Sequence, residues 1–315
     1  MYTRRVPISE AQMTTSWRSL LTCLAAFAFL VAASSLAPAQ NATLTITEIK
    51  PDVLVFATST GNVIASVGPD GFLVLGTPAA SDTDAIREVL MKRTNSPHCY
   101  VVIWTQPLDR TQGDAGWTKH GCFVAMQENA LGRLGGGRMG DPAQLPPQFA
   151  TFGVVRPAVG FSEVIKFDMN ADAIHVVHQK PGHTDADLLA HFHKAKMVYF
   201  GEDFPGDGYP EVDKKQNGSI EGFLSALENW NDDDMHFVPA RGEMVNGTAL
   251  QAFRQMIVTV RDCVKKMADA GKSEAEIVAS HPTAEFDSRW GHGRVKPDDF
   301  VHEVFASLKP QEKKD

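Results

Sequence analysis

The feature that most constrains this chain is an ordered succession of short β-branched runs, one amphipathic helix and a further apolar strand. Leu44–Ile49, Val53–Thr58, Asn62–Val67 and Gly71–Leu75 are separated by the turn signals Pro51-Asp52, Thr60-Gly61 and Pro69-Asp70-Gly71, so they predict a β-meander. Asp82–Arg93 places Ile86, Val89 and Leu90 at helical spacing, and Tyr100–Trp104 follows as a buried strand. Strand, helix, strand implies a parallel pair, which must be covered by helices. The second half has the same form, with strands expected at Val164–Phe167, Ile174–His178, Leu188–Phe192, Met197–Phe200 and His236–Val238 and a helix at Ser219–Trp230. Two β-rich halves with helices between them fit an α/β sandwich of two sheets. From Thr248 to Ala270 the positions Leu250, Phe253, Ile257, Val260, Val264 and Met267 recur at helical spacing before Gly271. A helical tail continues to Leu308, so residues 246–315 are expected to form a C-terminal helical extension on a domain of residues 40–245.

Residues 1–39 are expected to be a signal peptide. Arg18 precedes an apolar run from Leu20 to Leu36, which ends in Ala37-Pro38-Ala39, an A-x-A-like cleavage site. The alternative is a membrane anchor, but that requires ~20 apolar residues and this run is shorter, with Ser and Thr inside it. The mature chain is therefore expected to be periplasmic or secreted, with no stable membrane insertion after signal removal. It keeps Cys99, Cys122 and Cys263. An odd number permits one disulfide at most, Cys99 and Cys122 being the closer pair, or three free thiols. With 43% hydrophobic and 22% charged residues the chain has a globular composition. A formal net charge of −8 and the lack of a Lys/Arg stripe exclude nucleic acid as the expected partner. Gly135-Gly136-Gly137 and Pro142–Pro147 mark a loop rather than a phosphate cradle, because no strand and helix frame them.

The residues that carry chemistry fall in three places: Gly182-His183-Thr184-Asp185-Ala186-Asp187, Val198-Tyr199-Phe200-Gly201-Glu202, and Val238-Pro239-Ala240-Arg241-Gly242. In that order and spacing they resemble the later zinc-site motifs of the metallo-β-lactamase-fold hydrolases. The tail Pro282–Asp287 with Arg289-Trp290-Gly291 resembles the C-terminus of a periplasmic subgroup of that superfamily. The resemblance covers roughly Ile46 to the end. It implies a four-layer αββα sandwich and a site where T-H-x-H-x-D-H, a later His, a bridging Asp and a last His hold two zinc ions.

This chain departs from that pattern at nearly every ligand. Thr105-Gln106-Pro107-Leu108-Asp109-Arg110-Thr111 stands where the first motif belongs, so Gln106, Leu108, Arg110 and Thr111 replace three His and one Asp. Leu108 offers no donor atom and Arg110 is a permanent cation. Later, His183 matches its ligand, Glu202 replaces the bridging Asp, and Arg241 stands at the last His. Gly76 stands where the family has an Asp that supports the site. Zinc needs about four neutral imidazole or anionic donors, so no cofactor is expected; the alternative is one weakly bound zinc or iron on His183 and Glu202, with His178 or Asp203 nearby. Arg110 and Arg241 restore part of the charge that two zinc ions would bring, which predicts guanidinium pairing with Glu202.

The catalytic positions implied by the resemblance are thus His183, Glu202, Arg110 and Arg241. The expectation is a degenerate metal site in a pseudoenzyme that binds a small anionic ligand or a periplasmic protein. The alternative is a hydrolase working through a reduced mononuclear site at His183/Glu202. His191 and His193 share one strand face, where packing or surface roles are expected. Asp203 and Asp207 are loop carboxylates or general-base candidates. No Gly-x-Ser-x-Gly elbow or cysteine nucleophile motif is present.

Overall fold

The computed structural model describes residues 44–104, 116–133 and 158–308. The signal segment, Gln106, Leu108, Arg110, Thr111, Gly135–Gly137 and Pro142–Pro147 lie outside the described residues. β1 (Thr45–Lys50), β2 (Val53–Thr58), β3 (Gly61–Gly68) and β4 (Gly71–Leu75) pair antiparallel as the predicted meander. Helix α1 (Ala80–Met91) crosses to β5 (Cys99–Ile103), which lies parallel to β4. β6 (Phe123–Gln127) and β7 (Val159–Phe161) extend the sheet in parallel, with α2 (Glu128–Arg133) following β6.

The second sheet contains β8 (Val164–Met169), β9 (Asp172–His178), β10 (Leu188–Phe192) and β11 (Met197–Tyr199) as an antiparallel run, closed by β12 (His236–Val238) parallel to β11. Helix α3 (Ile220–Leu227) lies between β11 and β12 in the chain. Then come α4 (Gly247–Asp269), α5 (Glu274–Ala279), α6 (Asp287–Trp290) and α7 (Pro297–Ser307). Local chemistry starts these helices: Ser219 and Asn246 cap α3 and α4, a Ser273/Glu276 capping box opens α5, and Pro297 opens α7.

The period-two alternation of the strands assigns each side chain to a layer. In β4, Leu73 and Leu75 enter the core between the sheets, while Phe72 and Val74 face Ile86 and Leu90 of α1. In β11, Met197 and Tyr199 face inward, while Val198 packs with Phe223, Leu250, Phe253 and Val304. Three apolar cores therefore separate four layers, helix, sheet, sheet, helix. The helices after residue 246 share one core with the second sheet and form its outer layer. Cys99 and Cys122 form a disulfide that ties the starts of β5 and β6, and Cys263 is free. No helix among the described residues is long and apolar enough to cross a membrane.

This topology gathers the candidate residues at one end. The β2–β3 turn, the carboxyl ends of β4, β5, β11 and β12, and the β9–β10 connection all open there. Carboxyl ends of parallel strands are where open α/β sheets bind ligands.

Candidate functional site

The β9–β10 connection is closed on the Asp187 carboxylate, which accepts from the Gly182 amide at 3.0 Å and from the Thr184 amide and hydroxyl at 2.8–3.0 Å. Beneath it lies Asp203, fully buried, with Oδ1 accepting from the His183 amide at 3.3 Å. Its Oδ2 has no charged or amide partner. Burial first, then the facing Asp187 carboxylate, pushes the Asp203 carboxyl well above the usual carboxylate range. Protonation of Asp203 is therefore favoured over that of an ordinary carboxyl, and its Oδ2 has no hydrogen-bond partner among the described residues. A side chain on Gly182 would collide with the Asp203 carboxyl, so this contact requires glycine.

The imidazole of His183 is also buried, and its Nδ1 donates to the Glu211 carbonyl at 2.8 Å. That bond requires a proton on Nδ1. Glu202 follows Gly201, whose left-handed φ of 55° ends β11 over the Trp104 ring. Arg241 projects from the loop after β12, which Asn62 clamps by donating to the Pro239 and Gly242 carbonyls at 2.9 and 3.0 Å.

These two side chains meet. Arg241 donates from Nη1 and Nη2 to the two Glu202 oxygens at 2.7 and 2.9 Å, and from Nε to Asp207 at 2.8 Å. The pair is largely sequestered, with Arg241 18% and Glu202 13% exposed. Burial acts to raise the Glu202 carboxyl, but hydrogen bonding and charge from Arg241, with smaller contributions from His183 and Arg294, outweigh it and hold Glu202 down at about 2. Arg294, from the turn before α7, reaches Glu202 at 3.3 Å and Glu211 at 3.4 Å. Glu303 of α7 accepts from the Val212 amide at 2.7 Å, and burial pushes its carboxyl up to about 7.

Of the sequence candidates, Glu202 and Arg241 are brought into direct contact, with His183 close enough to influence the charge of Glu202. Arg110 lies outside the described residues. His178 does not join them: its ring donates from Nε2 to the Asp185 carbonyl at 2.9 Å, and Asp185 is itself held by Arg133 and Asn217. The strand that carries His178 therefore directs it to the support of the loop rather than to Glu202. Asp203 is sealed beneath the loop, so it is neither an exposed loop carboxylate nor an accessible general base; Asp207 pairs with Arg241. His191 of β10 and His193 in the turn after it bring their rings together at 4.0 Å, tilted, and His191 meets Trp230 edge-on. Arg294, Glu211 and Glu303 were not singled out from the sequence, although Arg294 lies only three residues beyond the Arg289-Trp290-Gly291 segment.

Among the described residues no group of three or more His, Cys, Asp or Glu side chains can hold a metal ion. The donor chemistry agrees, because both Glu202 oxygens accept from a guanidinium. These residues do not fit a zinc or iron site.

No protein-family model matches the chain, and no curated protein matches it in sequence. Solved structures do match in three dimensions. The stereoselective inverting sec-alkylsulfatase Pisa1 from Pseudomonas sp. superposes on 85% of this chain with a TM-score of 0.63 at 14% identity; the chain spans about half, 52%, of that protein. The DIM-1 metallo-β-lactamase covers 69% of the chain and is itself 97% covered, with a TM-score of 0.51 at 13% identity. A metallo-β-lactamase from Pontibacter korlensis gives 68% and 99% coverage with a TM-score of 0.51 at 13% identity. Four layers, two sheets in this strand order and these likenesses agree: the chain has the metallo-β-lactamase fold.

Proposed function

We propose that this protein is a metal-independent member of the metallo-β-lactamase-fold proteins, a pseudoenzyme that acts by binding a small anion and not by hydrolysis. The observation that supports this most is the Arg241 fork on Glu202 with Asp207 at its side. A metal ion would have to displace a guanidinium from both carboxylate oxygens and then sit beside that fixed cation. The sequence adds Leu108 and Arg110 at further ligand positions of the resemblance. In this reading the ion-pair network takes the architectural part of the metal centre. Export to an oxidising compartment belongs to the same proposal, supported by the apolar N-terminal run and by the Cys99–Cys122 disulfide.

Elemental analysis and melting curves of the purified protein, with and without chelator, test it. Sub-stoichiometric metal and an unchanged melting temperature are expected, since an ion absent from the native state stabilises nothing by mass action. Stoichiometric zinc or iron whose removal lowers melting by several degrees would instead establish the reduced mononuclear site on His183 and Glu202.

A further inference from the structure

Two arginines meet Glu202, and they are not equivalent. Arg241 directs every guanidinium nitrogen at a carboxylate, at 2.7–2.9 Å, and is only 18% exposed. Arg294 makes its two longer contacts through Nη2 alone and is 47% exposed. Among the described residues its Nε and Nη1 have no partner. Its backbone is nevertheless fixed, because Val295 bridges to Tyr209 and Gly293 packs on Gly208. Tyr209 in turn donates to Asp287 at 2.8 Å and stacks on Phe300. The result is an anchored stem with an open guanidinium at the mouth of the site.

We propose that Arg294 is the residue with which this site holds its ligand, a small molecule bearing a carboxylate, phosphate or sulfate oxyanion. The assignment rests on the metal-independent reading above, in which no ion competes for the anion. A guanidinium serves two acceptors at once, as Arg241 does for Glu202 and Asp207. Arg294 keeps one Nη2 hydrogen on Glu202. An oxyanion then accepts from Nη1 and from the second Nη2 hydrogen, in the bidentate geometry that favours planar or tetrahedral oxyanions.

The carboxylates around it decide what must move. Glu202 stays neutralised by Arg241, and Asp207 stays on the Arg241 Nε. Glu211, 44% exposed and held only at 3.4 Å, is the group that turns aside. Its charge therefore opposes the ligand, and removing it should help binding.

The test uses the full mature chain, titrated with sodium acetate, inorganic phosphate or sodium sulfate at constant ionic strength and followed by the arginine Nε–H resonances. One saturable site that shifts the Arg294 signal is expected, and the three probes distinguish a carboxylate from a tetrahedral-anion preference. Arg294→Gln should weaken binding at least 10-fold, Arg294→Lys should weaken it less, and Glu211→Gln should tighten it several-fold. Arg93→Gln, at an exposed pair with Glu48, should change nothing. If Arg294→Gln fails to fold, Arg294→Lys and Glu211→Gln carry the test. Unchanged affinity in both, equal loss in Arg93→Gln, or no saturation by any probe would overturn the assignment. Metal content measured on the same sample separates this from failure of the underlying reading: stoichiometric metal sinks that reading, while Arg294→Gln in metal-stripped protein still decides the anion contact.

Discussion

Arg241→Met isolates the ion pair at the centre of the site. The substitution keeps most of the apolar volume but leaves the Glu202 carboxylate, 13% exposed, with Arg294 at 3.3 Å as its nearest described cation. Removing one member of a buried pair costs about 3–5 kcal/mol, and the surviving Arg294 contact puts this case at the lower end, about 3 kcal/mol. At roughly 2–4 °C per kcal/mol for a domain of this size, melting should fall by about 6 °C or more at pH 7. The pH dependence carries the sharper test. In the parent, Glu202 is held from an ordinary 4.5 down to about 2, so its pairing stabilises the fold above 4.5 and is lost as pH falls through that window. In Arg241→Met the largest influence holding Glu202 ionised is gone while the weaker ones from His183 and Arg294 remain against burial, so the carboxyl rises from its parent value and acidification relieves the defect by protonating it. Urea unfolding at pH 7 and pH 4 should show a deficit that shrinks at the lower pH, and Arg241→Met/Glu202→Gln should recover most of the loss at pH 7. An equal deficit at both pH values, or a double variant no better than the worse single one, would refute the account.

Three further outcomes follow from the structure. Reducing the Cys99–Cys122 bond, which closes a loop of sequence separation 23, should lower stability by about 3 kcal/mol, read as a shifted urea midpoint; no shift would mean the staple constrains little. Glu303, raised from 4.5 to about 7, resists ionisation only in the folded chain, so stability should decline as pH rises through that interval. Glu303→Gln should flatten the slope, and a slope that persists would assign it to another group. Asp203→Asn should cost under about 1 kcal/mol, because a neutral amide relieves the repulsion from the facing Asp187 carboxylate; a loss of several kcal/mol in thermal unfolding would refute that.

What was legible in the sequence depended on how local its cause is. β2, β4, β10 and β12 coincide with the expected strands because β-branched runs end at turn residues. β6, β7 and α2 were missed: Phe123–Gln127 presents apolar side chains to both faces and so lacks alternation, and Val159–Phe161 is three residues long. The Glu202–Arg241 contact was accessible because each follows a recognisable strand end. Arg294 and Glu303 were not, since they reach the site from the turn before α7 and from α7 itself, 92 and 91 residues away from their partners, and no periodicity encodes such a meeting. His178 lies five residues before His183, and its strand turns it to the Asp185 carbonyl, the role of a hydrogen-bonded histidine in a polar cluster and not of a ligand.

That distance has a consequence for the order of events in a cell. Glu202, Tyr209 and Val212 are joined to Arg294, Asp287 and Glu303 across separations of 92, 78 and 91 residues, and closing such long loops is slow compared with local strand pairing. As the chain is made from its N-terminus, both sheets are available before the segment that finishes the site exists. The mouth of the site is therefore the last part of the molecule to be assembled, and a product interrupted before residue 294 would carry the sheets of the fold while lacking the cation at its entrance.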